Sequence, residues 1–574
     1  MTAAEGSAEP SRRSYLIENI EQQLQAHYAG LWRPLAQAEL EKRSFRRAKF
    51  GWRIEIDPQT LRIGGVDHLL LTIDADFPYS QPTVFAPQAG SDYRWPHVEG
   101  DTKLCLIATR TTVDAGVRVL AHLTAAIELL RYSREECEDE FQREFLTYWK
   151  HRATVTGERR QSISIVQPKR PSRSIVCFRN ADGRIIFGED RESLTRWLRN
   201  RRENPAIKEI VPSYLLRLPH PWNPDRYPEL GRDVIRLLPE EALRRIIVAG
   251  QSAFLLIEAS TATGPGFAAV VLQGAKEKDL AHGFRHIARV PHQRVVDSFA
   301  ARSIQRIPVA RADPAWVHGR DNNPAHLELM SKKVAIIGCG ALGAAVALLL
   351  AQAGVGELLF VDPDTLSTGN VGRHPLGLNH IGWNKAEALS QVCGIRYPHL
   401  NSEIALPKRF EDLTRPDREK LEAVDLIVAA GIDFDSEAAL DAWRVSLPRP
   451  PALVSTWVEA FATAGHAVLL YGKQSIRPAF DASELPVFRL AEWPPDAGVL
   501  IAEAGCGNVF QPHGVIDLHP TVGMAAGLVV DTLMNKVPKS CRQYCLGDRA
   551  QVLAAGGTPR PDFNGSKLVR TAPW

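Results

Sequence analysis

Paired cysteines are missing from this chain. Its eight cysteines stand at positions 105, 137, 177, 339, 393, 506, 541 and 545, and no two of them form a Cys-x-x-Cys pair. That spacing argues against a disulfide scaffold, and Cys541-x-x-x-Cys545 alone cannot supply four ligands, so no structural zinc is expected. Scattered single thiols suit a reducing cytoplasm. An excess of charge of one sign is lacking too. With 69 Lys and Arg against 66 Asp and Glu, the net charge is +3, which provides no general field for nucleic acid or an anionic membrane. No apolar run reaches the length of a membrane span and no signal peptide opens the chain, so a cytoplasmic location is expected. What is present is ordinary for globular protein: 45% hydrophobic and 24% charged residues in a length of 574, enough for two to four domains.

The most informative stretch is Lys332–Lys385. The apolar run Val334-Ala-Ile-Ile337 leads into Gly338-Cys339-Gly340-Ala341-Leu342-Gly343. A helix-like segment follows and ends at Gly354. A second apolar run, Leu358-Leu-Phe-Val361, then delivers Asp362, nineteen positions after Gly343. Strand, glycine turn, helix and strand make one βαβ unit with an acid placed for a ribose. Gly338, Gly340 and Gly343 allow a tight turn, close approach to phosphate and helix–strand packing, with phosphate on the helix N-terminus. A dinucleotide such as NAD satisfies this much. Asn370, Arg373 and Lys385 come soon after Asp362-Pro-Asp364, and cations there suit a triphosphate attacked at its α-phosphorus. On their own, Arg373 and Lys385 also fit solvated surface charge.

Taken together, "GCGALG … GVGELLFVDPDTLSTGNVGRH … GWNKAEAL" resembles the adenylating domain of the ThiF/MoeB and ubiquitin-activating enzyme family. The resemblance covers roughly residues 315–535. It implies an α/β Rossmann-like domain that binds ATP and Mg²⁺. Asp362 would hold the ribose, Asp364 completes the Asp-x-Asp, and Asn370, Arg373 and Lys385 would contact phosphates. The family's Mg²⁺-binding Asp aligns with Ile432, which makes Asp433, one position later, the nearest substitute. Arg320 is a candidate for the arginine that ThiF-like dimers place on ATP phosphates, and such domains usually form homodimers.

Residues 1–160 read as an α+β domain. Leu16, Ile20, Leu24 and Tyr28 are spaced for an amphipathic helix, and Phe50–Ile56 and His68–Ile73 read as strands of a meander. A helical pattern from Val117 to Lys150 breaks near Tyr132-Ser133. Between strands and helices lies Arg94-Trp-Pro-His97-Val-Glu-Gly-Asp-Thr-Lys-Leu104-Cys105-Leu106. Together with "FPYSQPTVFAP" it resembles the ubiquitin-conjugating enzyme signature, a His-Pro-Asn triplet followed by Ile-Cys-Leu. Trp95 falls at that family's His and His97 at its Asn. By that resemblance Cys105 is the conjugating nucleophile, and His97 would donate a hydrogen bond to an oxyanion or take a proton. The alternative for Cys105 is a buried small hydrophobe.

Residues 161–315 read as a connector around Ser162–Val166 followed by an α/β domain with strands near 174–178, 184–187, 253–257 and 267–272. By analogy with paired activating enzymes, this segment is an inactive adenylation-like partner or a docking scaffold. Residues 316–574 complete the adenylation domain. Their strands are Asp425–Asp433, Ala452–Val458 and Ala464–Tyr471, with a helix over Pro520–Asn535. In the activating family that these motifs resemble, the cysteine that receives the carrier commonly sits on a crossover loop ahead of such a helix; the resemblance makes Cys506, between Gly505 and Gly507, the first candidate for the activating nucleophile, with Cys541 and Cys545 as its rivals.

An order with the conjugating domain first resembles the fused enzyme of bacterial antiphage operons of the CBASS type. The resemblance implies ATP-dependent activation of a carrier protein's C-terminus, the carrier being a cGAS-like nucleotidyltransferase (CD-NTase), and its conjugation to target proteins. A bacterial ubiquitin-like carrier is the alternative. A MoeB-like sulfur-transfer adenylyltransferase and a scaffold with a dead nucleotide site are two further readings.

Overall fold

The structure, a computed structural model, describes residues 12–41, 47–56, 65–90, 93–106, 114–153, 162–201, 203, 206, 209–402, 404–495, 497–502 and 509–563. By contact density the chain divides into two compact units. One comprises Met1–Arg159, Lys169–Arg173 and Leu215–Pro308; the other comprises Arg160–Pro168, Ser174–Tyr214 and Val309–Trp574.

The first 150 residues form a helix, an antiparallel sheet and a run of helices. Helix α1 (Arg12–His27) buries Ile20 and Leu24 as their helical spacing predicts. Strands β1 (Trp32–Pro34), β2 (Phe50–Glu55), β3 (His68–Ile73) and β4 (Thr83–Phe85) pair in chain order as a meander. Helix α2 (Ala115–Leu130) starts on an Asp114 cap and approaches α1 so closely at Gly116 that a Cβ there would meet Gln23 at 2.4 Å. The expected break near Tyr132-Ser133 is real. Ser133 and Glu136 form a capping box that starts α3 (Arg134–Arg143), and α4 (Phe145–His151) follows.

The middle segment differs from the expectation. Strands β5 (Ser162–Ser164), β6 (Arg173–Arg179), β7 (Ile185–Gly188), β8 (Ile210–Leu218), β9 (Ser252–Thr261), β10 (Gly264–Gln273) and β11 (Gln305–Arg311) close into a barrel ordered β10-β11-β5-β7-β6-β8-β9. Helices such as α5 (Arg191–Asn200) alternate with these strands as expected. An inactive adenylation-like partner would need an open parallel sheet, and here β9 and β10 form a tight antiparallel hairpin with Thr261 opposite Gly264. The stretch read as a connector supplies β5, parallel to both β11 and β7. Its pairing partners lie far away in sequence, beyond the reach of local periodicity.

The C-terminal region is a doubly wound sheet. It contains β12 (Lys333–Ile337), α6 (Ala341–Ala353), β13 (Glu357–Val361), α7 (Lys385–Arg396), β14 (Ala405–Leu406), β15 (Leu426–Ala430), α8 (Phe434–Ser446), β16 (Ala452–Val458), β17 (Ala464–Leu470), α9 (Val515–Leu533) and β18 (Cys541–Leu546). Strand order is β14-β13-β12-β15-β16-β17-β18, parallel as far as β16 and antiparallel beyond it. The order reverses at β12, which opens a crevice at the carboxyl ends of β12, β13 and β15, where such sheets take ligands. Helix α9 begins five residues earlier than expected and carries Pro520 inside it. The missing N–H leaves the Ile516 carbonyl without its helical donor, and Ile516 is itself highly exposed, so water can serve that oxygen.

Beneath α8, Glu437 is buried and accepts a hydrogen bond from the Ser455 hydroxyl of β16. Burial pushes its carboxyl up to about 7 from its ordinary value, and nearby Asp441 adds to the rise. A carboxyl raised on folding contributes stability that is present below its unfolded value and lost as pH rises through about 7. Glu437→Gln is therefore expected to gain stability relative to wild type between pH 5.5 and 8.5, by on the order of 1–3 kcal/mol. Urea unfolding of both proteins across that range checks this, and a constant difference would refute it.

Candidate functional site

The candidate nucleotide crevice is built from three strand ends. After β12, Gly338 turns the chain with φ +88 and donates its N–H to the Val361 carbonyl at 2.9 Å. A Cβ at Gly338 would meet the Ala430 oxygen at 2.5 Å, and one at Gly343 would meet the Gly338 oxygen at 1.9 Å. Protein packing alone thus accounts for these two glycines. Gly340 is different: a Cβ there meets nothing within 4 Å. Its space lies open at the N-terminus of α6, where an anion gains from the unpaired N–H groups.

Asp362, at the end of β13, is 5% exposed. Its carboxylate accepts from the Cys339 N–H at 2.6 Å and the Asp364 N–H at 2.8 Å. Burial raises its pKa, and Lys385 and the two backbone donors oppose the rise. The Lys385 ammonium sits 2.8 Å from Asp364 with its side chain 12% exposed, so it is held in the crevice and is not a solvated charge. Asn370 accepts from the Ser367 N–H and hydroxyl, both at 3.0 Å. Arg373 donates to the Gly369 carbonyl at 2.9 Å, and its guanidinium lies 5.9 Å from the Phe510 ring centre. His513 is close enough to Arg373 that the cation, after burial, helps lower the imidazole's pKa.

Two residues here were not singled out from the sequence. His374 is buried; it takes the Leu376 N–H on Nδ1 at 3.2 Å, which leaves Nε2–H to donate to the Cys339 carbonyl at 2.7 Å. Asn384 caps α7 by accepting the Glu387 N–H at 3.1 Å, and its amide donates to the carbonyls of Asp362 (2.8 Å) and Asp364 (3.1 Å). An Asn three residues ahead of a Glu was a legible cap signal; His374 had none.

Asp433 is a helix cap. It accepts from the Ser436 N–H at 2.9 Å and hydroxyl at 3.2 Å, and lies 3.5 Å from Arg409. A carboxylate committed this way does not fit the expected Mg²⁺ ligand. Arg320 is exposed on a turn in which both Arg320 and Asp321 take left-handed angles; Arg311 anchors that turn by pairing with Asp313 and Asp321. Cys506 lies outside the described residues. Of its rivals, Cys545 is buried in β18 with its sulfur 3.4 Å from the Thr521 hydroxyl, and Cys541 is partly buried where β18 pairs with β17.

The second site surrounds Cys105. Trp95 is buried and donates its indole N–H to the Leu130 carbonyl at 3.0 Å. A tight turn from Val98 to Leu104 then brings the Cys105 N–H to the His97 carbonyl at 2.8 Å, and Cys105 is exposed. That exposure excludes the buried-hydrophobe reading. Tyr93, His97 and Thr102 all have positive φ without being glycine, a concentration of strain typical of functional loops. Carboxylates engage both nitrogens of the His97 ring. Nε2 lies 2.6 Å from Glu140 and Nδ1 3.5 Å from Glu144, and Arg143 pairs with Glu140 as well. Burial works against ionisation of Glu140, but hydrogen bonds from Arg143 and His97 hold its pKa below the ordinary value. His97, Glu140 and Glu144 are the one group of three potential metal ligands found among the described residues. The His97 N–H reaches the Tyr148 hydroxyl at 2.6 Å.

Two family models match the chain. The model of the ThiF family matches residues 321–550, and that of prokaryotic E2 family B matches 25–156. The ATP-dependent ubiquitin transferase-like protein Cap2 of Pseudomonas aeruginosa is 31% identical over 268 residues, 45% of this chain and 46% of that protein. The ubiquitin-like modifier-activating enzyme 5 of Arabidopsis thaliana is 25% identical over 265 residues, 43% of this chain and 56% of that protein. The chain thus spans about half the length of these relatives. A solved structure of E. coli MccB with succinimide shares 15% identity with a TM-score of 0.28, over 39% of this chain and 63% of that one. The chain is a multidomain protein that joins an E2-like domain to a ThiF-type α/β domain. Among the described residues no helix is long and apolar enough to cross a membrane.

The open space at Gly340 gives a direct test. Gly340→Ala is expected to keep its melting temperature within about 2 °C of wild type and to lose the stabilisation that ATP confers. Gly343→Ala, which collides with backbone, is expected to melt several degrees lower (about 4 °C or more). Melting curves with ATP and with NAD would also separate the two nucleotide readings.

Proposed function

We propose that this chain activates the C-terminal carboxylate of a carrier protein with ATP and passes it, as a thioester, to a target amine. The observation that carries the reading is the occurrence, in one chain, of an open glycine cradle backed by Asp362 and Lys385 and an exposed Cys105 on a strained loop. Asp362 and Lys385 would orient the nucleotide, and Arg373 would meet charge developing at its phosphates. Mg²⁺ would enter on the triphosphate's own oxygens.

The carrier carboxylate attacks the α-phosphorus and expels pyrophosphate. The Cys506 thiolate then attacks the acyl-adenylate carbon and expels AMP. Transfer to the Cys105 sulfur is nearly isoenergetic because one thiolate replaces another, and a shared chain raises the effective concentration. An amine finally takes the acyl group from Cys105. We assign the carrier to the class of cGAS-like nucleotidyltransferases of CBASS antiphage operons and the working form to a homodimer in which Arg320 serves the neighbouring nucleotide site. A ubiquitin-like carrier would use the same chemistry.

Two outcomes are expected. Arg373→Ala and Lys385→Ala each lower carrier-dependent ATP–pyrophosphate exchange by about a hundredfold; activity within a few-fold of wild type would remove both from the phosphate-binding role. Cys506→Ala keeps the exchange and loses the reducible carrier adduct, whereas Cys105→Ala retains carrier on the activating domain and makes no product. Undiminished product from Cys105→Ala would leave the N-terminal domain a binding module and favour the sulfur-transfer reading.

A further inference from the structure

The His97 ring is engaged by carboxylates, so the donor that would stabilise charge at Cys105 must come from elsewhere. We propose that the Tyr148 hydroxyl is the oxyanion donor when an amine attacks an acyl group on Cys105, an inference that rests on the conjugating role proposed above.

Three observations carry it. First, the Tyr148 oxygen accepts the His97 N–H at 2.6 Å, while the His97 carbonyl accepts the Cys105 N–H at 2.8 Å. One residue, held at φ +60, thus connects the tyrosine to the cysteine by two hydrogen bonds. Second, the phenol's own proton has no acceptor among the described residues, although the side chain is only 4% exposed. A buried hydroxyl that accepts but does not donate is a donor in waiting. Third, the ring cannot swing. Phe141 and Tyr93 meet it edge to face at centroid distances of 4.9 and 6.2 Å, and the hydroxyl is fixed before any substrate arrives. A cleft lined by Tyr93, Trp95, Val98, Glu99, Gly100 and Tyr148 opens beside this residue.

The electrostatics agree. Burial raises the pKa of Tyr148 far above its ordinary value, and Glu144, Glu140 and Cys105 add to the rise, so the phenol stays protonated at neutral pH. Glu140 and Glu144 hold the His97 ring and thereby keep its backbone in place between the two groups. His97 is a positioning residue in this arrangement.

The chemical step balances. The amine nitrogen bonds to the thioester carbon, and the carbonyl's π electrons move to its oxygen, which the Tyr148 O–H stabilises. Collapse re-forms the carbonyl and breaks the carbon–sulfur bond. The proton released by the amine nitrogen ends on the Cys105 thiolate, which leaves an amide and a free thiol.

The test uses the full chain and a small probe, so neither the carrier nor the nucleotide site is needed. The thioester of acetylglycine with mercaptoethanesulfonate acylates Cys105 by exchange, free lysine then discharges it, and mass spectrometry of the Cys105 peptide follows both steps. Tyr148→Phe, once loaded, is expected to discharge about a hundredfold more slowly than loaded wild type. A protein with 3,5-difluorotyrosine at position 148, which keeps the ring and hydroxyl, is expected to recover discharge at pH 6.5 to within a few-fold. Wild-type discharge by Tyr148→Phe, or no recovery with the difluorotyrosine protein, would overturn the assignment. Failure of wild-type Cys105 to accept the acyl group would instead overturn the conjugating reading, and this inference with it.

Discussion

The buried carboxylate of Asp362 is the constraint on which the nucleotide crevice depends. A carboxylate taken out of water is costly unless donors replace the lost hydration. Here the donors are the backbone N–H groups of Cys339 and Asp364. The glycine loop is thus tied to the end of β13 by the acid proposed to hold the ribose. His374 holds the Cys339 carbonyl, and Asn384 holds the carbonyls of Asp362 and Asp364, so the same few backbone groups are gripped from both sides. With the loop pinned this way, the open ground at Gly340 is a fixed surface.

The Cys105 site uses the same device with other parts. A short loop with three strained non-glycine residues carries an exposed thiol, and the strain persists because neighbouring groups over-determine it. Trp95 anchors one end on α2, and the His97 ring anchors the other on Glu140 and Glu144. Both sites therefore place reactive or ligand-facing atoms on short irregular segments whose backbones are fixed by buried polar contacts to regular elements.

Much of the fold was legible. The strands around Asp362 are continuous apolar runs, as a sheet covered on both faces requires, and the Ser133–Glu136 capping box announced the break between α2 and α3. The barrel was not legible. Ser162–Ser164 is three residues long and gains its identity as a strand only from β7 and β11, the latter about 145 residues away. Asp433 was read as a metal ligand on family spacing, yet Asp433 and Ser436 fit an N-cap signature as well, and the geometry chose the cap.

The sequence by itself determined the glycine turn, the acid after β13, the cations that follow it and the cysteine after the Trp95–His97 segment. Each of these is a local pattern, set by chain spacing within one or two elements. Tertiary structure alone decided that Gly340 faces open space, that His374 braces Cys339, that the His97 ring turns to α3, and that Tyr148 stands 51 residues from His97 in sequence yet 2.6 Å from its amide. The reason is physical: periodicity fixes which face of an element is buried, whereas a hydrogen bond between distant segments depends on positions that only the packed chain defines.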